Sequence, residues 1–541
     1  MTVQALPHAA LGASALFQAY TAAQPDALAF YAHPWSDDGL RRAAEAAASG
    51  PSRAHRDAVA DVLADQNRAW GTDDETLALV DRLRDPEAVA VVSGQQLGLF
   101  AGPLYTVYKA LTAVRLAAHI EAETGRPTVP VFWLADEDHD FAEVREAVFT
   151  DGAHVRTAAY DDGLPLDGPR PPVGRIVLDA DRLAATFAEL ERALPAGPFR
   201  ADALALARDA YRAGRTMRDA FAILLRSLAP GLILMSADDA RLKRLAAPVL
   251  SREAVDWSET ARTLEARSAD LDAAGFHAQI APSPLGLFWI DDTGIRRPVD
   301  PLDAGGVTLR GTDVRWTPAA WAQRVADSPE RVSPNVVLRP LVQDTLLPTA
   351  AYVAGPGEAA YYAQLTPVYA QFGVPMPAIA PRLSLTLVDP GIRKILDRDR
   401  LDVPDLRGRL DALWKRLALT ASGTPAAIAS IRRDADALAD QFDRLAASVD
   451  GSLAGAAGAA RQALLHTIER LETKTVRVEK RRHADVRGRL ERAQTALWPG
   501  GSLQERALSP LQAVALHGPD VFRNVIEAVP FDLAAHLVVD L

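Results

Sequence analysis

Residues 88–109 read AVAVVSGQQLGLFAGPLYTVYK, and this stretch decides the fold. Ala88–Val92 is a run of small and β-branched residues with no polar alternation, the pattern of a strand buried on both faces. Gly94, Gly98 and Gly102 then interrupt it and Pro103 opens a helix. Leu104, Val107, Leu111, Val114 and Ala118 repeat at helical spacing until Gly125 and Pro127. A strand, a glycine-rich turn and a helix N-terminus together offer backbone N–H groups to an anion. The helix also carries Lys109, one of six lysines among 59 basic residues, and no other lysine precedes Lys243. Neither GxxxxGK[ST] nor G-x-G-x-x-G is present. The reading is therefore a nucleotide or phosphate site of another kind, set against a tight turn whose glycines serve only packing.

Three more segments repeat the grammar of apolar strand, polar turn and helix. Val129–Leu134 runs into the acidic turn Asp136–Asp140 and a helix carrying Val144 and Val148. Leu232–Met235 runs into Ser236, Asp238 and Asp239, then a helix to Leu250. Ala350–Val353 runs into Gly355-Pro356-Gly357, then a helix Glu358–Phe372 stopped by Gly373. Repeated β–turn–α units predict an α/β fold with a parallel, doubly wound sheet, and in such sheets ligands bind outside the carboxyl ends of the strands.

Residues 151–195, rich in Pro, Gly and Asp, and residues 252–330, with short alternating runs, depart from this pattern and read as inserted segments. The second is a partly antiparallel lobe. From Gly391 the character changes. Ile428, Ile431, Ala435, Leu438, Phe442, Leu445 and Val449 keep the three–four rhythm of a coiled-coil seam, and Leu464, Ile468, Leu471 and Val478 restart it after a Gly/Ala break. This predicts an antiparallel helical hairpin. The expected organisation is a core over 1–387 containing both insertions, a helical coiled-coil domain over 388–500, and a segment over 501–541 that returns to the core.

The 541 residues include no cysteine, which excludes disulfides, thiolate zinc sites and a cysteine nucleophile. A net charge of −11 argues against bulk nucleic-acid binding. The basic run Lys474–Arg492 reads as a solvated coiled-coil face paired with acidic residues of the partner helix, favoured over RNA binding. No signal peptide or bilayer-length apolar run is apparent, so a cytoplasmic protein is expected.

The acidic turn places Asp136, Glu137, Asp138, His139 and Asp140 at a strand end. Like charges this close raise at least one pKa, so one member is a candidate general base; Mg²⁺ or an ammonium group are candidate ligands, and helix capping is the bland alternative. Asn335, Arg339, Gln343 and Asp344 lie in SPNVVLRPLVQDTLL, where an Arg339–Asp344 pair serving structure alone weighs equally with a binding role. Pro381-Arg382 and Ser384 follow the next apolar run and are candidates to clamp a phosphate.

Taken together, SGQQLGLFAGPLYTVYK, PVFWLADEDHDF, SPNVVLRPLVQDTLLPTAAYVAGPGE, VPMPAIAPRLSLT and LWPGGSLQER resemble, in order over residues 85–510, the cysteine-adding enzyme family of bacillithiol biosynthesis. The resemblance implies a Rossmann-like core related to class I aminoacyl-tRNA synthetases, a connective insertion, and a C-terminal coiled-coil domain through which two copies pair. It implies addition of cysteine to glucosaminyl-malate, and amide formation in turn implies nucleotide-dependent activation by ATP, with Mg²⁺ a candidate companion and no zinc. Gly102-Pro103-Leu104-Tyr105 stands where the synthetases carry His-x-Gly-His, and Pro381–Thr386 stands near their second phosphate loop.

On this reading Asp138, His139 and Lys109 are the candidate catalytic residues. Ser93, Gly94, Gln95, Gln96, Gly98, Gly102, Pro103, Tyr105 and Arg382 are the candidate nucleotide contacts. Trp133, Glu137, Asn335, Arg339, Gln343, Gly355, Gly357 and Glu358 are the candidate substrate contacts. The rival readings are another nucleotide-dependent ligase or transferase on the same core, and a non-catalytic nucleotide-binding coiled-coil protein.

Overall fold

Every residue of Thr128–Leu134 and Thr349–Ala354 is buried, and so is Val89–Gly94. Strands without a wet face need cover on both sides, and they find it in a parallel sheet walled by helices. The computed structural model of the chain describes residues 1–281, 284–303, 305–422, 424–482 and 484–541. Its central sheet runs, in spatial order, Ala378–Pro381, Thr349–Ala354, Val89–Gln95, Thr128–Leu134 and Ile233–Ser236, with every pairing parallel. The chain starts in the middle strand, builds to one side, then returns to build the other. This doubly wound order leaves a crevice between the first and fourth strands at their carboxyl ends.

The helices Tyr105–Thr124, Ala240–Ala273 and Pro356–Phe372 follow the first, third and fourth strands as expected. Three boundaries differ. Pro103 precedes the first helix, which begins at Tyr105. The helix after the acidic turn is only Phe141–Val144, and Val148 lies instead in the strand Glu146–Thr150, paired antiparallel with Val155–Ala159. There Ala147 and Phe149 alternate inward, the strand period rather than the helical one. The third helix runs on to Ala273 and takes the start of the 252–330 segment, so the antiparallel lobe is confined to five strands between Leu287 and Pro334.

Two compact units divide the chain. The first holds 1–151, 155–387 and 503–539, and the second holds 152–154, 388–502 and 540–541. In the second unit the helices Thr424–Val449 and Ala454–Arg482 pack on each other. Arg432 bonds Glu472 at 2.7 Å and Arg461 bonds Asp443 at 2.7 Å, which fixes an antiparallel register. The expected seam is inverted in part: Ala435, Ala439, Ala446, Ala457 and Ile468 are buried, whereas Ile431, Leu438, Leu445, Val449, Leu471 and Val478 are exposed. Alanines let the helices approach closely, and the larger residues of the same stripes are left outside the pair. In the basic run, Arg482, Arg487 and Arg489 pair with Glu479, Glu491 and Asp485, acidic neighbours one turn away in their own stretch of chain, and Arg489 also pairs with Asp399 of the helix Pro390–Asp399. No helix among the described residues is long and apolar enough to cross a membrane.

Candidate active site

A cavity of ≈ 570 Å³ opens at the carboxyl edge of the sheet. The first strand contributes Gly94, Gln95 and Gln96, the second Trp133, Glu137, Asp138 and His139, the fourth Tyr352, Gly355, Gly357 and Glu358, and the fifth Arg382. Asn335 and Arg339 enter from the segment before the fourth strand, and Tyr105 and Lys109 from the first helix.

The glycine loop does not cradle an anion. Leu97, Leu99, Phe100 and Ala101 are buried, the Gly102 N–H is bonded to Leu99 O, and the Phe100 N–H is bonded to Tyr211 Oη. A Cβ on Gly98 would lie 2.1 Å from Gly102 O, so glycine is required there by a close approach of backbone to backbone. Gly98, Gly102 and Pro103 do not line the cavity. Ser93 does not either: its hydroxyl donates to Val353 O at 2.9 Å and ties the first strand to the fourth.

Lys109 reaches the cavity but is saturated. Its Nζ donates to Gly94 O at 2.7 Å and Gln95 Oε1 at 3.1 Å, and it forms an ion pair with Glu358. Burial pushes the ammonium below its usual pKa against the opposing pull of Glu358. Burial alone would raise Glu358, yet Lys109 holds its carboxyl below the usual range. A lysine with three acceptors fixes the loop and has no N–H left for a phosphate. Arg382 is likewise spoken for, with Glu505 bonded at 2.8 and 2.6 Å and Leu383 O at 2.9 Å.

The acidic turn separates its members. Asp136 is fully buried, accepts from the Ser236 hydroxyl, and is raised to about 8 by burial and by the nearby Asp238. Glu137 pairs with Lys243. Asp138 accepts from Gln96 Nε2 and from the His139 N–H, both at 2.7 Å. Burial pushes its carboxyl up, but the nearby His139 ring, these contacts and the Arg296 charge hold it well below the usual range, which makes it a poor general base. Asp140 caps the short helix through the Glu143 N–H. The five do not converge on a cation, and no cluster of three His, Asp or Glu among the described residues is arranged to hold a metal.

Gln343 is buried outside the cavity, where its Oε1 accepts from Arg339 at 3.0 Å and its Nε2 donates to Asp344 at 2.8 Å. The Arg339–Asp344 pair is therefore replaced by a relay through Gln343, and Asp344 also accepts from the Tyr369 hydroxyl. Arg339 itself contacts the Tyr361 hydroxyl at 3.1 Å and has no carboxylate partner among the described residues.

Sequence reasoning missed Phe288, Arg296 and Arg506, all of which line the cavity. The first two come from the antiparallel lobe. Arg506 follows Glu505, whose carboxylate is locked by Arg382, Ser384 and the Leu385 N–H, so the rim beneath it is rigid. Among the described residues its guanidinium has no side-chain partner. Of the cavity's five strong cations, Lys109 is paired to the partly exposed Glu358, Arg382 to the buried Glu505, and Arg296 stands 3.9 Å from Asp138. Arg339, which feels the charges of Glu358 and Asp344 without pairing directly to either, and Arg506 have no ion-pair partner among the described residues. The signal available was the LQER tail of a motif otherwise read only as part of the resemblance.

Fold and site define a Rossmann-like α/β protein with an arginine-bearing cleft at the sheet's carboxyl edge and, in a second unit, a helical coiled coil. The N-terminal Rossmann-like domain model of bacillithiol biosynthesis BshC matches residues 1–383, and the BshC C-terminal coiled-coil domain model matches residues 385–541. The chain is 40% identical to "Putative cysteine ligase BshC" of Salinibacter ruber over 98% of its own length and 97% of that relative. It is 33% identical to the protein of the same description from Symbiobacterium thermophilum over 98% of both chains, and 32% identical to that from Chlorobaculum tepidum over 90% and 89%. The chain belongs to the BshC family of bacillithiol biosynthesis.

Proposed function

We propose that this protein is a cytoplasmic ligase that joins the carboxylate of cysteine to the amine of glucosaminyl-malate, forming the amide of bacillithiol. The observation that carries the reading is the pair of guanidiniums without an ion-pair partner among the described residues, Arg339 and Arg506, in one cleft at the sheet's carboxyl edge. A malate group brings two carboxylates, and guanidinium is the side chain best matched to each. ATP is the proposed co-substrate: it supplies an adenylyl or phosphoryl group to the cysteine carboxylate. The new C–N bond then forms as the acyl C–O bond to phosphate breaks, and the amine gives up its proton. Lys109 and Glu358 act as positioning residues that hold the first strand's end against the helix Pro356–Phe372. Tyr105 and the Gly357 turn border the same space.

Incubating the protein with cysteine, glucosaminyl-malate and ATP, and following the new amide by mass spectrometry, tests the reaction. Omitting ATP tests the activation, and offering other amines tests the acceptor. Arg506→Ala should raise KM for the malate-bearing substrate by about ten- to a hundredfold, the loss of one charged hydrogen bond, with little change in kcat. An unchanged KM removes Arg506 from the site.

The protein is also proposed to pair with a second copy through the hairpin. Supporting this is the exposed stripe of Leu438, Leu445 and Val449 beside a seam already closed by alanines.

A further inference from the structure

His139 is poised at the cleft by an arginine from elsewhere in the chain. Its backbone is fixed at both ends: its N–H donates to Asp138 Oδ1 at 2.7 Å and its carbonyl accepts from Phe141 N at 2.9 Å. Arg296, the first residue of the lobe strand Arg296–Pro301, places Nη1 2.8 Å from His139 Nδ1. The same guanidinium donates to Ser333 Oγ at 3.0 Å and Pro334 O at 3.2 Å, and lies 3.5 Å from the centre of the Phe288 ring. Arg296 is buried, and its orientation is fixed on every side.

A guanidinium has five N–H donors, no acceptor, and does not deprotonate in proteins. Nδ1 of His139 must therefore accept, and the neutral ring carries its proton on Nε2. Protonating the ring would set an Nδ1–H against an Arg296 N–H, two donors and two like charges face to face. The charges around the pair are few. Asp138 Oδ1 stands 3.6 Å from Nδ1 and 3.9 Å from Nη1, and Glu137 is taken by Lys243. Nε2 has no hydrogen-bond partner among the described residues, and the side chain, 36% exposed, borders the cavity.

We infer that Arg296 is a positioning residue that locks His139 in its Nε2–H form, so that His139 meets the substrate as a neutral hydrogen-bond donor and not as the base that takes the amine's proton. This rests on the proposed function only for the identity of the acceptor, the acyl oxygen that gains negative charge as the amine adds. The ring's form stands apart from it. The lobe thereby completes the catalytic edge of the sheet, supplying through Arg296 a constraint that the acidic turn lacks.

Two measurements decide the inference. Nitrogen-15 spectra of full-length protein labelled at histidine, assigned with His139→Gln, should show His139 as the Nε2–H tautomer near neutral pH. Arg296→Met should release it to a mixture. In the ligation assay His139→Gln, which keeps an amide donor, should retain activity within about tenfold of wild type. His139→Ala and His139→Glu should each lose about a hundredfold or more, the cost typical of a deleted oxyanion donor. An Nδ1–H or doubly protonated ring in the wild type, or a Glu variant more active than the Gln variant, overturns the inference. If the wild type makes no amide from any offered amine, the ligase reading falls and the nitrogen spectra still decide the ring.

Discussion

In the central sheet the strand Thr128–Leu134 hides every residue, whereas in the hairpin the helix Thr424–Val449 hides alanines and leaves Leu445 and Val449 64% and 66% exposed. The sheet satisfies its apolar residues within one unit, because parallel strands must be covered on both faces. The hairpin satisfies only a narrow stripe. The polar groups differ in the same way. The first unit includes, besides its surface ion pairs, some that are buried and multiply bonded, as in Arg382–Glu505, where both side chains are 3% exposed. In the hairpin they are solvated surface pairs. One region is built as a closed interior, and the other as a surface with a remaining apolar stripe.

The sharpest break of that contrast is Glu505→Ala. It strands a buried guanidinium and should cost about 3–5 kcal/mol in chemical unfolding. Arg461→Ala in the hairpin should not move the transition measurably. A loss of similar size in both regions would erase the distinction.

Acid sharpens it next. His536 donates to or accepts from Ser384 and Thr386, each at 2.8 Å, and burial lowers its pKa to about 4. The folded state thus binds this proton less readily than the unfolded chain, near 6.5. Its contribution is present above pH 6.5 and is lost as pH falls toward about 4, worth roughly 3 kcal/mol for a shift of this size. Melting curves of the wild type and His536→Gln should therefore converge on acidification across that window. Curves that stay parallel would refute a neutral buried ring.

The smallest expected effect lies within the hairpin. Ala439→Leu overfills a closed seam and should cost about 1–3 kcal/mol. Leu445→Ser should leave the melting transition in place while weakening self-association in sedimentation. Equal destabilisation by both would mean that the exposed stripe is part of the fold.

Three of the four β–turn–α units were legible in full because each is written locally, in an apolar run, a turn and a helical period. The helix read through Val148 failed where two periods compete over a few residues, and pairing with Val155–Ala159 chose the strand. The cavity's place at the carboxyl edge was also legible, since topology alone puts the turns there. The roles were not. Asp136 and Asp138 are two residues apart, yet one is a buried acid raised to about 8 and the other is held far below the usual range. Burial and distant partners made that difference, and neither is written in the pentad.

Local order in the chain was enough to determine the doubly wound sheet, the glycine turn, the helical hairpin and the family, because each depends on periodicity or on motifs in register. Which side chains remain available for chemistry was decided only in three dimensions. Lys109 was consumed by Gly94, Gln95 and Glu358, and Arg382 by Glu505, while Arg506 was left free and Arg296 was brought to His139 across 157 positions of sequence. A charge becomes a ligand or a brace according to the partners that burial supplies, and those partners come from remote parts of the chain.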